Sequence, residues 1–568
     1  MDEGGSRLQL LLAELRRRKV FRVAIVYAAV AFVIWQIAEI AVPGLNLPSW
    51  VLTLVILLTA LGFPIAVGLA WAFDITPAGV KRTEPETAAI ERPAVPTVHV
   101  AAERKSIVVL PFDNMSPDPA DAYLSDGLTE EIITGLSCCG PLRVISRNSA
   151  RALKGTQKDT RTIARELDVQ YVLEGSVRKA GNDLRITAQL IDGRTDEHLW
   201  SERYSGTLDD VFEMQERLSC SIVDALMLKL SPEEERRLTE RPIDNVQAYE
   251  CYLRARQETW LFTKDALDRA RQHLQNGLDI IGENALLLAG MGYVYSQCAN
   301  VGLEHEEYIE KAEEYARRAL ELDPESPEAH LVLGCTHQAF RGDQRKSFYH
   351  LKQALARNPD DPHTLVWLAV GHTLVGRVGE AYPLAERAVR VDPLNPMSIW
   401  TATYLDWIGG RFDVPSEEVT KWFRLEPRNP AALMFCALVL AFCSRYEEAR
   451  DLIRGNVQAG LEDLFTRMAL LLEGALDGDS SRFREIVTED FRRTARRDPQ
   501  YSYFVADIYA LAGLKEEALD WLSNAVDRGF INYPFIAEHD RLLESIRGEP
   551  RFRDIAARAK HEWEQFDA

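Results

Sequence analysis

The sequence predicts a multi-domain fold with two transmembrane helices, a mixed α/β domain and an all-α superhelix of helical repeats. Three observations predict this fold: two long apolar stretches near the start, a middle region that alternates between strand and helix patterns, and evenly spaced prolines beyond residue 320. At 568 residues the chain is too long for one hydrophobic core. Several structural units are therefore expected.

Composition narrows the class of partner and the redox chemistry. The chain carries 86 acidic and 66 basic side chains, which gives a formal net charge of -20. Such an excess of negative charge argues against broad binding to nucleic-acid phosphates. The eight cysteines show neither the paired spacing of a metal site nor a disulfide framework, so we expect buried, reduced thiols.

The two apolar stretches run from Val23 to Val42 and from Pro48 to Phe73. Each has enough residues to span a bilayer core of about 30 Å as a helix. We therefore predict a basic juxtamembrane segment over residues 1–22 and a transmembrane helical hairpin over 23–73. Basic residues flank the pair, whereas the turn between the stretches has none. Because positive flanks stay in the cytoplasm, both ends of the hairpin are expected there.

A short linker precedes the predicted mixed domain. Residues 83–104 contain three prolines, mixed charge and no hydrophobic periodicity, which is typical of an extended spacer. From Ser106 onwards the patterns follow the order β-α-β-α-β-β-β-α, with Gly181 and Asn182 as a hairpin turn. This order predicts an α/β domain over 105–231, with helices covering a mixed sheet.

The loop after the first strand of this domain is a candidate phosphate or cation site. A phosphate cradle needs glycines and usually a lysine, but this loop has neither before Gly127. It carries Asp113, Asp118 and Asp121 instead. Their oxygens suit calcium, yet their spacing differs from that of an EF-hand loop, and the prolines on both sides of Asp118 favour a turn. We predict a structural turn.

Several blocks of this region resemble one known domain. The segments "SIVVLPFDNMSPDPADAYLSDGLTEEIITGLS", "LRVISRNSARALKG" and "IARELDVQYVLEGSVRKAGNDLRITAQLIDGRTDEHLWSERYSG" are similar to the TolB amino-terminal-like (FlgO-like) domain, over roughly Lys105 to Leu230. In bacteria such domains lie between a signalling or DNA-binding module and tetratricopeptide repeats, as in transmembrane cyclase-like and CadC-like regulators. The resemblance implies an α/β adaptor, with no catalytic residue or cofactor to transfer. This chain has neither a cyclase nor a winged-helix domain.

The resemblance also bears on localisation. Together with the apolar stretches it predicts a multi-pass protein of the bacterial inner membrane. The charge pattern places the soluble domains in the cytoplasm, whereas many relatives of the domain face the periplasm, so both sides stay open.

Beyond Pro242 the chain shows a constant proline spacing. Pairs of prolines recur with steps of 35, 34 and 34 residues, their members being 324 and 327, 359 and 362, 393 and 396, and 427 and 430. Proline breaks a helix interior but suits a first turn, so each pair ends one helix and starts the next. The pattern resembles the tetratricopeptide repeat, a helix-turn-helix unit of 34 residues. We predict a repeat array over 245–568, capped at its C-terminus by a pair of amphipathic helices, and a local bend near Pro415.

Stacked repeats of this kind form a superhelix with a concave groove that holds peptides or helices. By their position in the repeat, six side chains are predicted to line the groove and bind a partner: Leu331, Cys335, Gln338, Val366, Val370 and Thr373. The alternative is that several of them only pack between neighbouring repeats.

The sequence shows no motif of an enzyme. It contains no HExxH, GxSxG, Walker loop or GxGxxG, and His330 and His337 lack the acidic partner of a zinc motif. We predict no enzymatic activity, cofactor or metal. The predicted function is a membrane-anchored scaffold that binds proteins or peptides in the repeat groove. The alternative is a regulatory or sensory subunit that relays a ligand or envelope signal to a separate effector. The predicted partners are proteins and membrane lipid but no nucleic acid, and a homo-oligomer stays open.

Overall fold

The computed structural model describes residues 73–76, 79–82, 104–259, 264–300, 306–457 and 463–567, together with Leu57. The chain divides into two units, Met1–Ala89 and Ile90–Ala568. Within the described part of the first unit, strand β1 (Phe73–Thr76) pairs antiparallel with strand β2 (Gly79–Arg82).

The predicted fold class is wrong in its membrane part. In the portion of the chain that the structure describes, no helix is both long and apolar enough to cross a bilayer. Phe73, predicted as the end of the second transmembrane helix, begins β1, where pairing with β2 holds the backbone extended. The rest of the two apolar stretches, apart from Leu57, lies outside the described residues, as do the segments 1–22 and 83–103. The predicted lipid contact gains no support, and the localisation stays a prediction.

A mixed sheet forms the first part of the second unit. Its strands are β3 (Lys105–Val109), β4 (Asp113–Asn114), β5 (Leu142–Val144), β6 (Tyr171–Ala180), β7 (Asp183–Asp192) and β8 (His198–Thr207). They lie in the order β5-β3-β6-β7-β8, with β4 beside β6. Strand β3 runs parallel to β5 and β6, whereas β6, β7 and β8 are antiparallel. The predicted mixed sheet is confirmed.

The three predicted helices accompany this sheet, together with two short helices that were not predicted, Arg147–Arg151 and Pro232–Leu238. They are α1 (Ala122–Ser137), α2 (Arg147–Arg151), α3 (Thr160–Glu166), α4 (Val211–Ala225) and α5 (Pro232–Leu238). We call residues 104–238 the sheet region. The predicted structural turn is confirmed at Asp118, whose side chain accepts a hydrogen bond from the Ala120 N–H at 2.9 Å and caps a short 3-10 turn.

Local sequence explains the central hairpin. Along β7 the apolar side chains alternate with exposed ones, so one face is buried. Gly181 takes a left-handed backbone (φ 64°) in the two-residue turn that pairs Ala180 with Asp183. Gly175 allows a close approach of β6 to β7, because a Cβ there would lie 2.5 Å from the Thr187 carbonyl oxygen.

From residue 246 the described chain is helical, and we call residues 246–567 the repeat region. Its first helices are α6 (Val246–Thr259), α7 (Lys264–Ile281), α8 (Ala285–Asn300), α9 (Glu306–Leu322), α10 (Pro327–Thr336), α11 (Gln344–Arg357), α12 (Pro362–Leu374) and α13 (Val378–Val391). Then follow α14 (Pro396–Ile408), α15 (Ser416–Val419), α16 (Lys421–Leu425), α17 (Pro430–Phe442), α18 (Tyr446–Asn456), α19 (Leu464–Asp477), α20 (Phe483–Ile486), α21 (Glu489–Arg497), α22 (Pro499–Leu511), α23 (Lys515–Asp527) and α24 (Pro550–Glu564). Consecutive helices pack as hairpins, such as α6 with α7, α12 with α13 and α22 with α23.

The proline ladder has the predicted effect. The second proline of each pair is the first residue of α10, α12, α14 or α17, directly after a capping Ser326, Asp361, Asn395 or Asn429. The first proline of each pair lies two residues beyond the end of a helix. The region is therefore built of tetratricopeptide-type helix pairs. The predicted bend is also present, since the chain after Pro415 forms the two short helices α15 and α16.

The predicted C-terminal pair of capping helices is wrong. The segment forms a 3-10 turn at Leu542–Ser545 and the single helix α24. This helix packs on α23, and its end reaches back to an earlier repeat. There Arg377 donates hydrogen bonds to the Trp563 and Phe566 carbonyl oxygens, at 3.1 and 3.0 Å. The tail therefore joins two separated repeats.

Two large hydrophobic cores stabilise the second unit. One is continuous from the sheet region into the first repeats, and the other fills the later repeats and the tail. The eight cysteines are free thiols, three of them buried and the others partly buried. The first core makes the sheet region and the first repeats one packed body.

A candidate binding site between the sheet region and the repeats

The six predicted groove residues do not form one open surface. Leu331 lines a cavity, and Cys335 and Val370 are partly buried. Gln338, Val366 and Thr373 are buried. The Gln338 side chain accepts a hydrogen bond from the Ser347 hydroxyl at 3.1 Å and donates one to the Trp367 carbonyl. At Gln338, Val366 and Thr373, packing between repeats therefore prevails.

The first helices of the later repeats pack against one another instead of lining a trough. Nearly all of α17 and α22 is buried. The rings of Trp407 and Phe504 stack with centroids 5.5 Å apart, and those of Phe442 and Phe535 with centroids 5.4 Å apart. Aromatic side chains thus fill the space that a groove would need in this half.

In the earlier repeats the sheet region itself covers the array. The Ser146 N–H donates a hydrogen bond to the Val391 carbonyl oxygen at 2.7 Å. Ser149 donates to Asp392 Oδ1 from its N–H at 3.1 Å and from its hydroxyl at 2.6 Å. In return the Leu394 N–H donates to the Ser149 hydroxyl at 2.9 Å. Asp392 is fully buried, so this contact is shielded from water.

Ion pairs border the same contact. Asp360, in the loop before α12, binds Arg104 of the sheet region at 2.9 Å and Arg387 of α13 at 2.6 Å. Arg143 donates a hydrogen bond to the Arg390 carbonyl oxygen at 2.9 Å. The sheet region is therefore held by main-chain and charged groups of the repeat that begins at Pro362.

A second set of contacts joins α1 to α6. Glu130 on α1 pairs with both Arg147 of the sheet region and Arg256 of α6. A Cβ on Gly127 would lie 2.5 Å from a methyl carbon of Leu253 on α6, so the absence of a side chain at Gly127 allows the two helices to approach closely. Burial lowers the pKa of Arg147 to about 10, so its guanidinium group remains charged at neutral pH, and burial also lowers the pKa of Arg256.

A cavity of about 270 Å³ lies between the two regions. Helix α1 forms one wall, and α6, α8 and the starts of α10 and α12 form the others. Glu131, Glu328, Tyr252 and Tyr293 are among its polar lining residues. Burial, followed by the charge on Glu328, raises the pKa of Glu131 to about 7. Burial also raises the pKa of Glu328.

The described residues offer no group of His, Cys, Asp and Glu side chains arranged to hold a metal ion. His330, singled out in the sequence, instead lies with its Nδ1 2.9 Å from that of His350, and His337 stacks on the His350 ring. Burial and the neighbouring His330 lower the pKa of His350 to about 4, so it is neutral at physiological pH.

Sequence reasoning missed the contact and the cavity. Glu131 is one of two adjacent glutamates on a helix, and Glu328 follows a helix-initiating proline, as glutamates often do. Asp392 belongs to the "DPLNP" segment, where the local pattern predicts only a turn. Nothing in these local patterns indicates that the three residues lie between two regions.

Comparisons with known proteins give partial matches. Residues 103–227 match the family described as the second domain of HilA/YgeH-like transcriptional regulators. A Rhizobium meliloti (strain 1021) protein named "Putative adenylate cyclase 3" is 39% identical over 261 residues, which cover 44% of this chain and 42% of that protein. The transcriptional regulator HilA of Salmonella typhimurium (strain LT2) is 21% identical over 372 residues, which cover 63% of each chain.

The chain thus spans less than two thirds of either curated relative. Among solved structures, a thermophilic TPR protein of Thermus thermophilus is similar to 33% of this chain and 97% of its own length, with 17% identity and a TM-score of 0.28. The assignment of the sheet region to the TolB-like domain stays a prediction.

Proposed function

We propose that this protein is a non-enzymatic scaffold of a signalling or gene-regulation system, whose repeat region binds a protein or peptide partner. The observation that carries the proposal is that the repeats already hold a folded protein surface, through the buried contact between Ser149 and Asp392. The names of the two curated relatives support the signalling context.

The same contact gives the proposal a means of regulation. The sheet region covers part of the early repeats, so a partner that uses this surface competes with it. Binding then depends on the fraction of molecules in which the sheet region has moved away.

The test uses the full chain with Asp392→Ala, which removes the acceptor of the Ser149 hydrogen bonds. The matched control is Asp413→Ala at an exposed position. Hydrogen exchange should rise in residues 146–151 and 390–395 of Asp392→Ala, and affinity purification should enrich a partner protein over the wild type and the control. If exchange rises but the captured proteins match those of the control, the scaffold proposal is wrong.

The cavity supports a second candidate, a sensory subunit. A ligand in it would touch α1 of the sheet region and α6, α8 and α10 of the repeats at once. Its binding energy would then stabilise their packed arrangement, which is a direct way to pass a signal from a small molecule to a protein surface. A ligand of the cavity should therefore slow hydrogen exchange at residues 146–151 and 390–395. Unchanged exchange under saturation would exclude this function.

A further inference from the structure

We propose that the cavity between α1 and the repeats binds a small organic cation, an ammonium group joined to an apolar body, with Glu131 and Glu328 as its counter-ions. The inference gives the sensory candidate above its class of ligand and rests on that function only for the consequence of binding. The occupancy of the site can be tested separately.

The first step concerns the charges on the cavity wall. Its lining residues include five carboxylates and two guanidinium groups. Both guanidinium groups pair with Glu130. Asp360 has two arginine partners, and Asp361 accepts hydrogen bonds from the N–H and hydroxyl of Thr364 at the start of α12. Glu131 and Glu328 are the two remaining carboxylates of the cavity wall, and they have the fewest partners.

These two carboxylates are short of partners. Among the described residues, none donates a hydrogen bond or a cation to the side chain of Glu131. Glu328 accepts one 3.3 Å hydrogen bond from the Ser326 hydroxyl, and the charge of Arg256, which is paired with Glu130, also lowers its pKa. Glu131 is half-buried, and its side chain lines both the cavity and the adjoining groove. Even partial burial of a carboxylate without a partner disfavours its charged form, and the raised pKa of Glu131 reflects that cost. A cation bound in the cavity would offset the cost of charging Glu131.

The second step concerns the rest of the wall. Tyrosine rings attract cations through their faces. The Arg256 guanidinium already lies 5.5 Å from the centroid of Tyr252, so Tyr293 is the ring left for a ligand. Apolar side chains complete the lining, among them Ile133, Val144, Leu286, Val294 and Leu331. This combination suits an organic ammonium ion better than a hydrated inorganic ion.

The size of the cavity and its route of entry fit a small organic cation. A space of about 270 Å³ falls just below the range of drug-sized pockets, about 300–1,000 Å³, and suits a molecule with one ring or a short chain. The cavity shares Glu131, Pro242, Leu286 and Glu328 with an adjoining, larger groove of about 540 Å³. That groove provides a route of entry.

The experiment measures binding of 2-phenylethylamine to the full chain by isothermal titration calorimetry. The matched probes are the neutral 2-phenylethanol and the anionic 3-phenylpropionate, which share its shape. We expect saturable binding of the amine, at least about tenfold tighter than that of either probe. Since the amine favours the charged form of Glu131, titrations in buffers of different ionisation enthalpy should show proton release at neutral pH.

Variants place the binding in the cavity. Glu131→Gln and Glu328→Gln should each weaken binding of the amine by about tenfold or more, whereas Glu310→Gln at an exposed position should not. Thermal unfolding of each variant verifies that it is folded. If Glu131→Gln does not fold, Glu328→Gln alone provides the test. Equal affinity for amine and alcohol, unchanged affinity in both variants, or no binding of the amine up to its solubility limit would overturn the proposal.

The site and the sensory function fail differently. If the amine binds with the expected variant pattern but leaves hydrogen exchange at residues 146–151 and 390–395 unchanged, the site stands and the sensory function falls. If the amine does not bind, the site falls, and the scaffold function remains to be judged by the Asp392→Ala test.

Discussion

At the scale of single residues, buried carboxylates are the unusual feature of this chain. Asp507 and Asp540 are both fully buried in the second core. Burial raises the pKa of Asp540, and the hydrogen bonds that it accepts from the Tyr503 hydroxyl and, at 2.8 Å, from the Leu542 N–H oppose this rise. Burial, and then the nearby Asp540, raise the pKa of Asp507 well above its usual range. Asp507 is thus the protonated member of the pair.

This arrangement predicts a pH-dependent effect of Asp507→Asn. The folded protein keeps Asp507 protonated, whereas the unfolded chain ionises it above pH of about 4, so the wild type loses stability as pH rises. Asparagine stays neutral at every pH, so it avoids this cost of ionisation. The variant should therefore gain about 1–3 kcal/mol relative to the wild type between pH of about 4 and 8. Thermal unfolding across this range checks the gain.

The control is Asp451→Asn at an exposed position, which should not change stability with this pH dependence. A stability difference between Asp507→Asn and the wild type that stays constant with pH would contradict the conclusion that Asp507 is protonated in the folded protein.

Glu131 gives a second prediction at this scale. Its carboxyl group, with a pKa of about 7 in the folded protein, destabilises the fold as pH rises from about 4.5 to 7, because the unfolded chain ionises first. Glu131→Gln should therefore increase the free energy of unfolding by up to about 3 kcal/mol at pH of about 8 and have little effect at pH of about 4.5. Thermal unfolding at the two pH values measures this difference. A greater effect in acid than in base would contradict the assigned direction.

At the scale of elements, helix packing in the repeats depends on small residues at fixed positions. Ala319, Ala354 and Ala388, spaced like the prolines, are almost completely buried between helices. Gly334 lets α10 approach α11, since a Cβ there would lie 2.6 Å from a methyl carbon of Leu351. The close pairing of each hairpin follows from these residues.

Gly334→Ala should therefore destabilise the protein by about 1–3 kcal/mol, because the added methyl group forces the two helices apart. Gly379→Ala is a matched control within helix α13, where a Cβ meets no atom within 4 Å. There the substitution should be neutral or stabilising by up to about 1 kcal/mol, owing to the higher helix propensity of alanine. Denaturant unfolding compares the two, and equal effects would contradict the packing argument.

At the scale of the whole molecule, the continuous core predicts that the sheet region and the first repeats respond together. Gly127→Val would drive its side chain into Leu253 and separate α1 from α6. Hydrogen exchange should then rise in both helices, although only one carries the change. Gly548→Val, where a Cβ meets no atom within 4 Å, is the control. Faster exchange confined to α1 would show that the two regions are independent.

The part of the fold that could be predicted follows from local rules. The hairpin at Gly181 and the helix starts at Pro327, Pro362, Pro396 and Pro430 depend on backbone preferences of a few adjacent residues. The bend at Pro415 has the same origin. The C-terminal helix pair was predicted from an amphipathic pattern alone and was wrong, because short helical patterns do not specify an α-helix.

The candidate site could not be predicted in this way. Of the proposed groove residues, Gln338 and Thr373 satisfy the repeat pattern but are buried against neighbouring helices. Their burial depends on residues of neighbouring helices and of the tail: Ser347 and Trp367 contact Gln338, and Asn532 donates a hydrogen bond to the Thr373 carbonyl oxygen. The role of Asp392 depends on Ser149, which lies 243 positions away in the chain.

By itself the sequence determined the mixed sheet, the helix pairs and their period, since these arise from the backbone preferences and apolar spacing of nearby residues. Only the tertiary structure decided that the sheet region covers the early repeats, that aromatic rings fill the later ones, and that a cavity with two poorly partnered carboxylates lies at the junction. Those features arise from contacts between distant segments, whose side chains carry no local sign of the residues they will meet.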